Sequence, residues 1–378
     1  MTRTDCAPLV VLCAGGTGGH VFPALALAAD LLAREFRVAL VTDTRGRRFG
    51  TRDLDLPVHV VSSGVPGGGM AGRLRGVCAL GWGVFQSGAL LGRLRPAAVV
   101  GFGGYPSVPP VFAAGKMGIP VVLHEANAVL GKANAFLAGR ASRIALSWPG
   151  TEGIPERALG RCVVTGNPVS PEIAALGMRP YPSLSASGPF RIFVTGGSQG
   201  AKVFGTVVPG ALAGLPAAAR ARLEVVQQCL EADLTAVRAL YEAAGVKAAL
   251  APFVPDMAER LAAAHLFIGR AGAATTAELT AAGRPAIYVP YPHHADQQQK
   301  NNADRIADAG GGWVMTESGF TVEALSARIE TFLQAPETLV RAAEAARGCG
   351  RPDAALRLGN VVSEQVVTQS ALHRQTNA

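Results

Sequence analysis

Along the chain, short apolar runs rich in β-branched residues and bounded by glycine or proline alternate with Ala- and Leu-rich stretches of helical period. In the first half the runs fall at Leu9 to Cys13, Val38 to Thr42, Val58 to Val61, Ala97 to Gly101, Pro120 to His124, Ile144 to Ser147 and Cys162 to Thr165. Runs that are apolar throughout predict strands buried on both faces, and strands alternating with helices predict parallel βαβ units. The rhythm breaks between Asn167 and Pro189, where Pro168, Pro171, Pro180, Pro182 and Pro189 lie among Ser183, Ser185 and Ser187. That composition predicts a linker.

The rhythm resumes at Phe190 to Thr195, Leu223 to Gln227, Ala248 to Phe253, Leu266 to Gly269, Ala286 to Val289 and Gly312 to Met315. The second half therefore repeats the first. The opening strand of each runs into a similar loop, Gly15-Gly16-Thr17-Gly18-Gly19 and Gly196-Gly197-Ser198-Gln199-Gly200. The expected fold is α/β, with two doubly wound Rossmann-like domains facing a central cleft and ligands at the carboxyl ends of the strands. The expected boundaries are 1–166, a linker 167–189, and 190–351, with a helix over 352–378 that could pack back on the N-terminal domain.

Composition narrows the class. Of 378 residues, 49% are hydrophobic and 16% charged, which argues for a well-cored globular protein and against disorder or a coiled coil. The six cysteines contain no C-x-x-C pair, so neither a zinc site nor a disulfide framework is expected, and a reducing compartment fits. The N-terminus enters a strand and glycine loop and does not read as a signal peptide. The uncharged stretch Pro96 to Gly115 carries four prolines, so no membrane span is expected. The net charge of +8 comes without a basic run interleaved with aromatics, which speaks against nucleic acid.

Three glycine-rich loops each follow a strand and precede a helix: the two above and Gly101-Phe102-Gly103-Gly104. Such loops serve close packing or bring backbone N–H groups and a helix N-terminus to a phosphate. Three in one chain favour a nucleotide or diphosphate ligand. The dinucleotide fingerprint fails, because Val21 stands where its third glycine belongs, although Asp43 ends the second strand as a ribose acid might. Neither loop continues as a Walker A motif. Asp53-Leu54-Asp55 imitates a D-x-D metal motif but reads as surface acids, and no metal ligand is assigned.

The segments GGTGGHVFP (15–23), GFGGYPS (101–107), HEAN (124–127), GNP (166–168), GGSQGA (196–201), RAGAATTAEL (270–279) and DQQQKNNA (296–303) resemble the MurG family of peptidoglycan glycosyltransferases, glycosyltransferase family 28, of GT-B fold. The resemblance implies transfer of N-acetylglucosamine from UDP-GlcNAc to the 4-hydroxyl of the undecaprenyl-diphosphate-linked muramoyl pentapeptide (lipid I), giving lipid II. It makes His20 the leading general base, with His124 and Glu125 as rivals at the end of their strand. Acceptor binding is implied for Thr17, Gly18, Gly19, Gly103, Gly104, Tyr105 and His124. Donor binding is implied for Asn127, Ser170, Gly197, Ser198, backbone near Val254, Ala271, Glu278, Gln298, Gln299 and Asn302. By helical spacing, Gln298 and Asn302 share one face. The sequence departs from the family pattern at Ala126, Ser170, Ala271 and Gln227, and Ser170 removes a positive partner for the donor diphosphate. No cofactor is implied, and stimulation by a divalent metal stays open.

From Arg73 to Arg95, Leu74, Val77, Cys78, Trp82, Phe85 and Ala89 fall on one helical arc, and Leu80, Val84 and Leu91 on another. One arc can pack on a sheet, leaving a second apolar face flanked by arginines. That face suits an anionic membrane surface, so a peripheral position on the cytoplasmic face of a bacterial plasma membrane is expected, with cell-wall synthesis proteins as further partners. A UDP-GlcNAc 2-epimerase of the same architecture and a non-catalytic UDP-sugar-binding scaffold are the competing readings.

Overall fold

The computed structural model describes residues 7–51, 54–64, 69–185, 187–197, 200–293 and 296–376. The chain divides into two compact units, Met1–Ser170 with Asp353–Ala378, and Pro171–Pro352. In the first unit the order is β1 (Leu9–Cys13), α1 (Gly18–Ala33), β2 (Arg37–Thr42), β3 (Val58–Val60), α2 (Gly69–Leu94), β4 (Ala98–Gly101), α3 (Val108–Lys116), β5 (Val121–Glu125), α4 (Lys132–Leu137), β6 (Arg143–Leu146) and β7 (Cys162–Val164). Among the described residues these strands form a seven-stranded parallel sheet in the order β3-β2-β1-β4-β5-β6-β7.

Strand alternation sorts the core onto two faces. Val10 and Leu12 of β1 point into one layer with Leu27 and Leu31 of α1, whereas Val11 and Cys13 point into the other with Leu91, Val111 and Leu137. The exposed arc of α2 is the one holding Leu74, Val77, Cys78, Trp82 and Phe85, while Leu90 and Leu91 turn inward and the helix packs on α3.

The second unit contains α5 (Pro171–Leu176), β8 (Phe190–Thr195), α6 (Lys202–Ala213), α7 (Ala217–Arg220), β9 (Leu223–Gln228), α8 (Leu234–Ala243), β10 (Lys247–Ala251), α9 (Met257–Ala263), β11 (Leu266–Gly269), α10 (Ala273–Ala282), β12 (Ala286–Tyr288), α11 (Gln298–Asp308), β13 (Gly312–Val314), α12 (Val322–Gln334) and α13 (Glu337–Cys349). Its parallel sheet runs β10-β9-β8-β11-β12-β13. The chain then returns as α14 (Ala354–Thr376), which packs on α1 in the first unit.

The linker expected over 167–189 needs correction. Pro171 starts a helix, where its missing N–H costs nothing, and Ile173 and Leu176 are buried as α5 packs on α9 and α10. Tyr181 donates its hydroxyl to the His265 carbonyl (2.7 Å), and the buried His265 ring takes the Arg191 N–H at Nδ1 (2.9 Å). The proline and serine spacing marks irregular backbone, and that backbone is folded into the second unit.

Candidate functional site

Each sheet reverses its strand order beside its first strand, between β1 and β4 and between β8 and β11. Loops leaving such neighbouring strands in opposite directions open a crevice at their carboxyl ends. All three glycine loops lie there.

In the first unit, Asp43 at the end of β2 holds the loop after β1. Its buried carboxylate accepts the N–H groups of Gly16 (3.0 Å) and Gly46 (2.8 Å) and pairs with Arg45 Nε (2.9 Å). Burial pushes this carboxyl up, but the Gly46 N–H, the Arg45 guanidinium and the Gly16 N–H together hold it below the usual carboxylate value. Gly16 sits at φ +79°, a conformation that only glycine adopts readily. Thr17 is the N-cap of α1 without a side-chain cap bond, so the helix opens on Gly18 and Gly19.

His20 follows in the first turn and lies against the loop after β4. A Cβ added at Gly104, which has φ +72°, would stand 3.2 Å from His20 Cδ2. Glycine there lets the ring rest on the backbone. Burial holds His20 below its ordinary 6.5, opposed by the Glu125 charge and the Phe102 carbonyl, so the ring is neutral at pH 7. Its Nδ1 is buried and takes no protein partner among the described residues. Tyr105, next on the loop, is exposed.

Glu125 and His124 end β5, both buried and both bonded within the first unit. Glu125 accepts from Asn127 N (3.0 Å), Asn127 Nδ2 (3.1 Å), Gly131 N (2.9 Å) and Asn134 Nδ2 (2.8 Å). A buried carboxylate filled by four donors is a loop anchor with no lone pair left for a substrate proton. His124 is only 1% exposed, stacks near Phe102, and bonds the Gly166 carbonyl through Nε2 (3.2 Å). Burial first, and then the charge of His20, against the Gly166 carbonyl, lower it to about 4. It is a neutral histidine held in the core. Asn127 is half-buried, with its amide turned to Glu125.

In the second unit, Thr195 Oγ1 accepts the Gly197 N–H (3.0 Å) and donates to Gln228 Oε1, while Gln228 Nε2 donates to the Pro252 carbonyl (3.2 Å). Two side chains, Thr195 and Gln228, thus tie the glycine loop to the segment carrying half-buried Val254. Ser198 and Asp53 lie outside the described residues, and half-buried Ser170 ends the first segment of the first unit. Glu278 is half-buried on α10, whose N-cap is Gly272. Arg270, nearly buried before that cap, donates to the Val289 and Pro290 carbonyls and pairs with Glu317.

On α11, Gln298 is half-buried and donates to Asp296 (2.9 Å), and Gln299 accepts the Tyr291 N–H (3.0 Å). Asn302 shares the helix but is fully buried, giving Nδ2 to the Ala271 carbonyl (3.4 Å). It braces the 270–272 turn. The Ala271 side chain is likewise buried, so that position offers only backbone.

Sequence reading missed Asn134, Arg270 and Gln228 and left Asp43 as a ribose acid. Arg270 does stand within a quoted motif, but its partners, like those of Gln228, are distant in sequence. Among the described residues no three His, Cys, Asp or Glu side chains cluster to hold a metal.

Comparison with known proteins agrees with the two-unit fold. The glycosyltransferase family 28 N-terminal domain matches residues 10–146 and its C-terminal domain residues 191–358. A Rhodospirillum centenum protein named UDP-N-acetylglucosamine-N-acetylmuramyl-(pentapeptide) pyrophosphoryl-undecaprenol N-acetylglucosamine transferase is 54% identical over 93% of both chains. The crystal structure of Acinetobacter baumannii MurG aligns with TM-score 0.75 at 31% identity, covering 94% of this chain and 99% of that one. A UDP-N-acetylglucosamine 2-epimerase aligns with TM-score 0.66 at 13% identity over 97% of this chain and 96% of its own, a likeness of fold. With two Rossmann-like units of GT-B type, both domain models matched in order and a relative alike over nearly its whole length, the chain belongs to glycosyltransferase family 28.

Proposed function

We infer that the protein transfers N-acetylglucosamine from UDP-GlcNAc to the N-acetylmuramyl-(pentapeptide) pyrophosphoryl-undecaprenol acceptor, with inversion at the sugar carbon. The substrates follow the name of the relative alike over 93% of both chains. The observation that carries the chemistry is His20, a neutral imidazole with an unpartnered Nδ1 between two glycine loops. In this reading the first unit takes the acceptor, its diphosphate on the loops of Gly18, Gly19 and Gly104. The second takes the donor on the loops of Gly197 and Gly272, with Glu278, Gln298 and Gln299 beside it. His20 accepts the muramoyl hydroxyl proton as that oxygen bonds to the sugar carbon and the bond to UDP breaks. The electron pair leaves on the UDP phosphate, stabilised by helix N-terminal N–H groups. No cofactor enters this balance.

The exposed face of α2 suits a peripheral position on a membrane, and among the described residues no helix is long and apolar enough to cross one. Supply of the donor as UDP-GlcNAc fits the cytoplasmic face. The epimerase likeness is one of fold, and an epimerase would require neither acceptor nor docking face.

UDP release from UDP-GlcNAc, measured with and without a short-chain lipid-linked muramoyl pentapeptide, tests the reading. Acceptor-dependent UDP with a disaccharide product is expected, and His20→Ala should lower kcat by about 10²–10⁴ in folded protein. UDP-GlcNAc turnover that ignores the acceptor would point to the epimerase.

A further inference from the structure

A second concave feature of the first unit lies beside the glycine loops, not in them. A groove of about 390 Å³ is lined by Arg47, Val58 to Val61, His59 among them, Gln86, Leu90 and Arg93. Successive strand residues face opposite sides of a sheet, so a groove lined by four in a row runs along the strand's edge. β3 is the last strand on its side of the sheet among the described residues, and Val58 and Val60 are 37% and 39% exposed. Among the described residues no strand pairs with its outer edge, which leaves backbone groups for an extended partner.

The polar lining is made of donors. Arg47 and Arg93 are exposed and enter no ion pair among the described residues. Gln86 spends its carbonyl oxygen on the Ser62 N–H (2.9 Å), leaving its amide N–H groups to donate. His59 Nε2 is buried without a partner, and no lining side chain is acidic. An open strand edge, apolar Val58, Val60 and Leu90, and two arginines together suit an extended peptide with a carboxylate.

The groove starts next to the acceptor loop. A Cβ on Gly46, the residue before Arg47, would stand 2.8 Å from Gly15 Cα, and Asp43 binds the N–H groups of Gly46 and Gly16 together. Five extended residues span up to about 17 Å, enough to run from that loop along β3. We propose that this groove binds the pentapeptide of the acceptor, with its backbone along the open edge of β3 and its terminal carboxylate on Arg47 and Arg93. The proposal rests on the transferase reading above.

The test uses the full chain, wild type and the Arg47→Ala/Arg93→Ala double variant. Three short-chain acceptors are compared: one with the pentapeptide and its free carboxylate, one amide-capped, and one without peptide. Wild type should show the lowest KM for the free carboxylate. The double variant should raise that KM about tenfold or more, leave kcat within about twofold, and leave the KM values of UDP-GlcNAc and the peptide-free acceptor unchanged. Equal KM for all three acceptors with wild type, or a rise shared by all three in the variant, would overturn the groove assignment. So would unchanged KM values together with weakened binding to anionic vesicles, which would give the arginines to lipid headgroups. Wild type that turns over none of the three overturns the transferase reading, and the groove assignment with it.

Discussion

Asp43 and Glu125 show how a buried carboxylate shapes a loop it never leaves. Each lies at the end of a strand of the first sheet and is filled by backbone N–H groups of a loop that turns there. Removing such an acceptor strands the donors, at about 1–3 kcal/mol for each buried group. Asp43→Ala should therefore loosen Gly15 to Gly19, raising the acceptor KM about tenfold while the KM of UDP-GlcNAc stays put; equal change in both would refute a local role. Because the folded carboxyl is held low, its contribution is complete above the ordinary carboxylate range and fades only as pH falls through the lowered value. Asp43 thus adds no pH dependence near neutrality. His20 does set one. A base works unprotonated, and burial lowers this ring below 6.5, so the acid limb of kcat/KM should fall with an apparent pKa under 6.5. Glu125→Gln, which weakens the charge opposing that shift, should move the limb lower still. A limb that ignores Glu125→Gln would remove His20 as its source.

At the scale of elements, legibility divides along the range of the interactions. β1, β4 and β5 are buried on both faces, so their continuous apolar runs announce them, and the loops behind β1, β4 and β8 carry the glycines their turns require. Partners far along the chain leave no such trace. Gln228 reaches Thr195 and Asn302 reaches Ala271 across about thirty residues, and nothing local separates a bracing amide from one that meets substrate. His124 is a similar case, since its place in a motif is visible and its burial beside Phe102 is not. For α2, the sequence defines two apolar arcs, and packing on α3 decides which stays outside. Trp82 and Phe85 stack on the outer arc, 57% and 67% exposed. Trp82→Ser with Phe85→Ser should leave Tm nearly unchanged and weaken binding to anionic vesicles at least about tenfold, because the rings lose apolar area only in the bilayer. Lost Tm with unchanged vesicle binding would make the arc a folding surface.

At the scale of the whole molecule, the second unit is an insertion, since the first is left at Ser170 and regained at Asp353. The first unit therefore depends on α14, which follows the whole of the second unit in sequence. Leu358, Val361, Val362 and Val366 of α14 join the core that α1 shares with the sheet, and Arg34 of the short turn after α1 bonds Asn360 (2.7 Å) and the Leu356 carbonyl (2.9 Å). Burying four such side chains is worth about 6–12 kcal/mol, which matches the entire stability of a typical domain. Ending the chain at Pro352 should accordingly unfold the first unit, while the second, with its own core around β8 and β11, keeps its melting transition and, on the proposed assignment, its affinity for UDP-GlcNAc. The milder Leu358→Ala should cost about 2–5 kcal/mol in one transition and leave the other in place. Calorimetry with donor binding on the same samples separates the outcomes: two transitions shifting together would mean that the units fold as one, and a truncated chain melting like the full one would deny α14 its place in the first core.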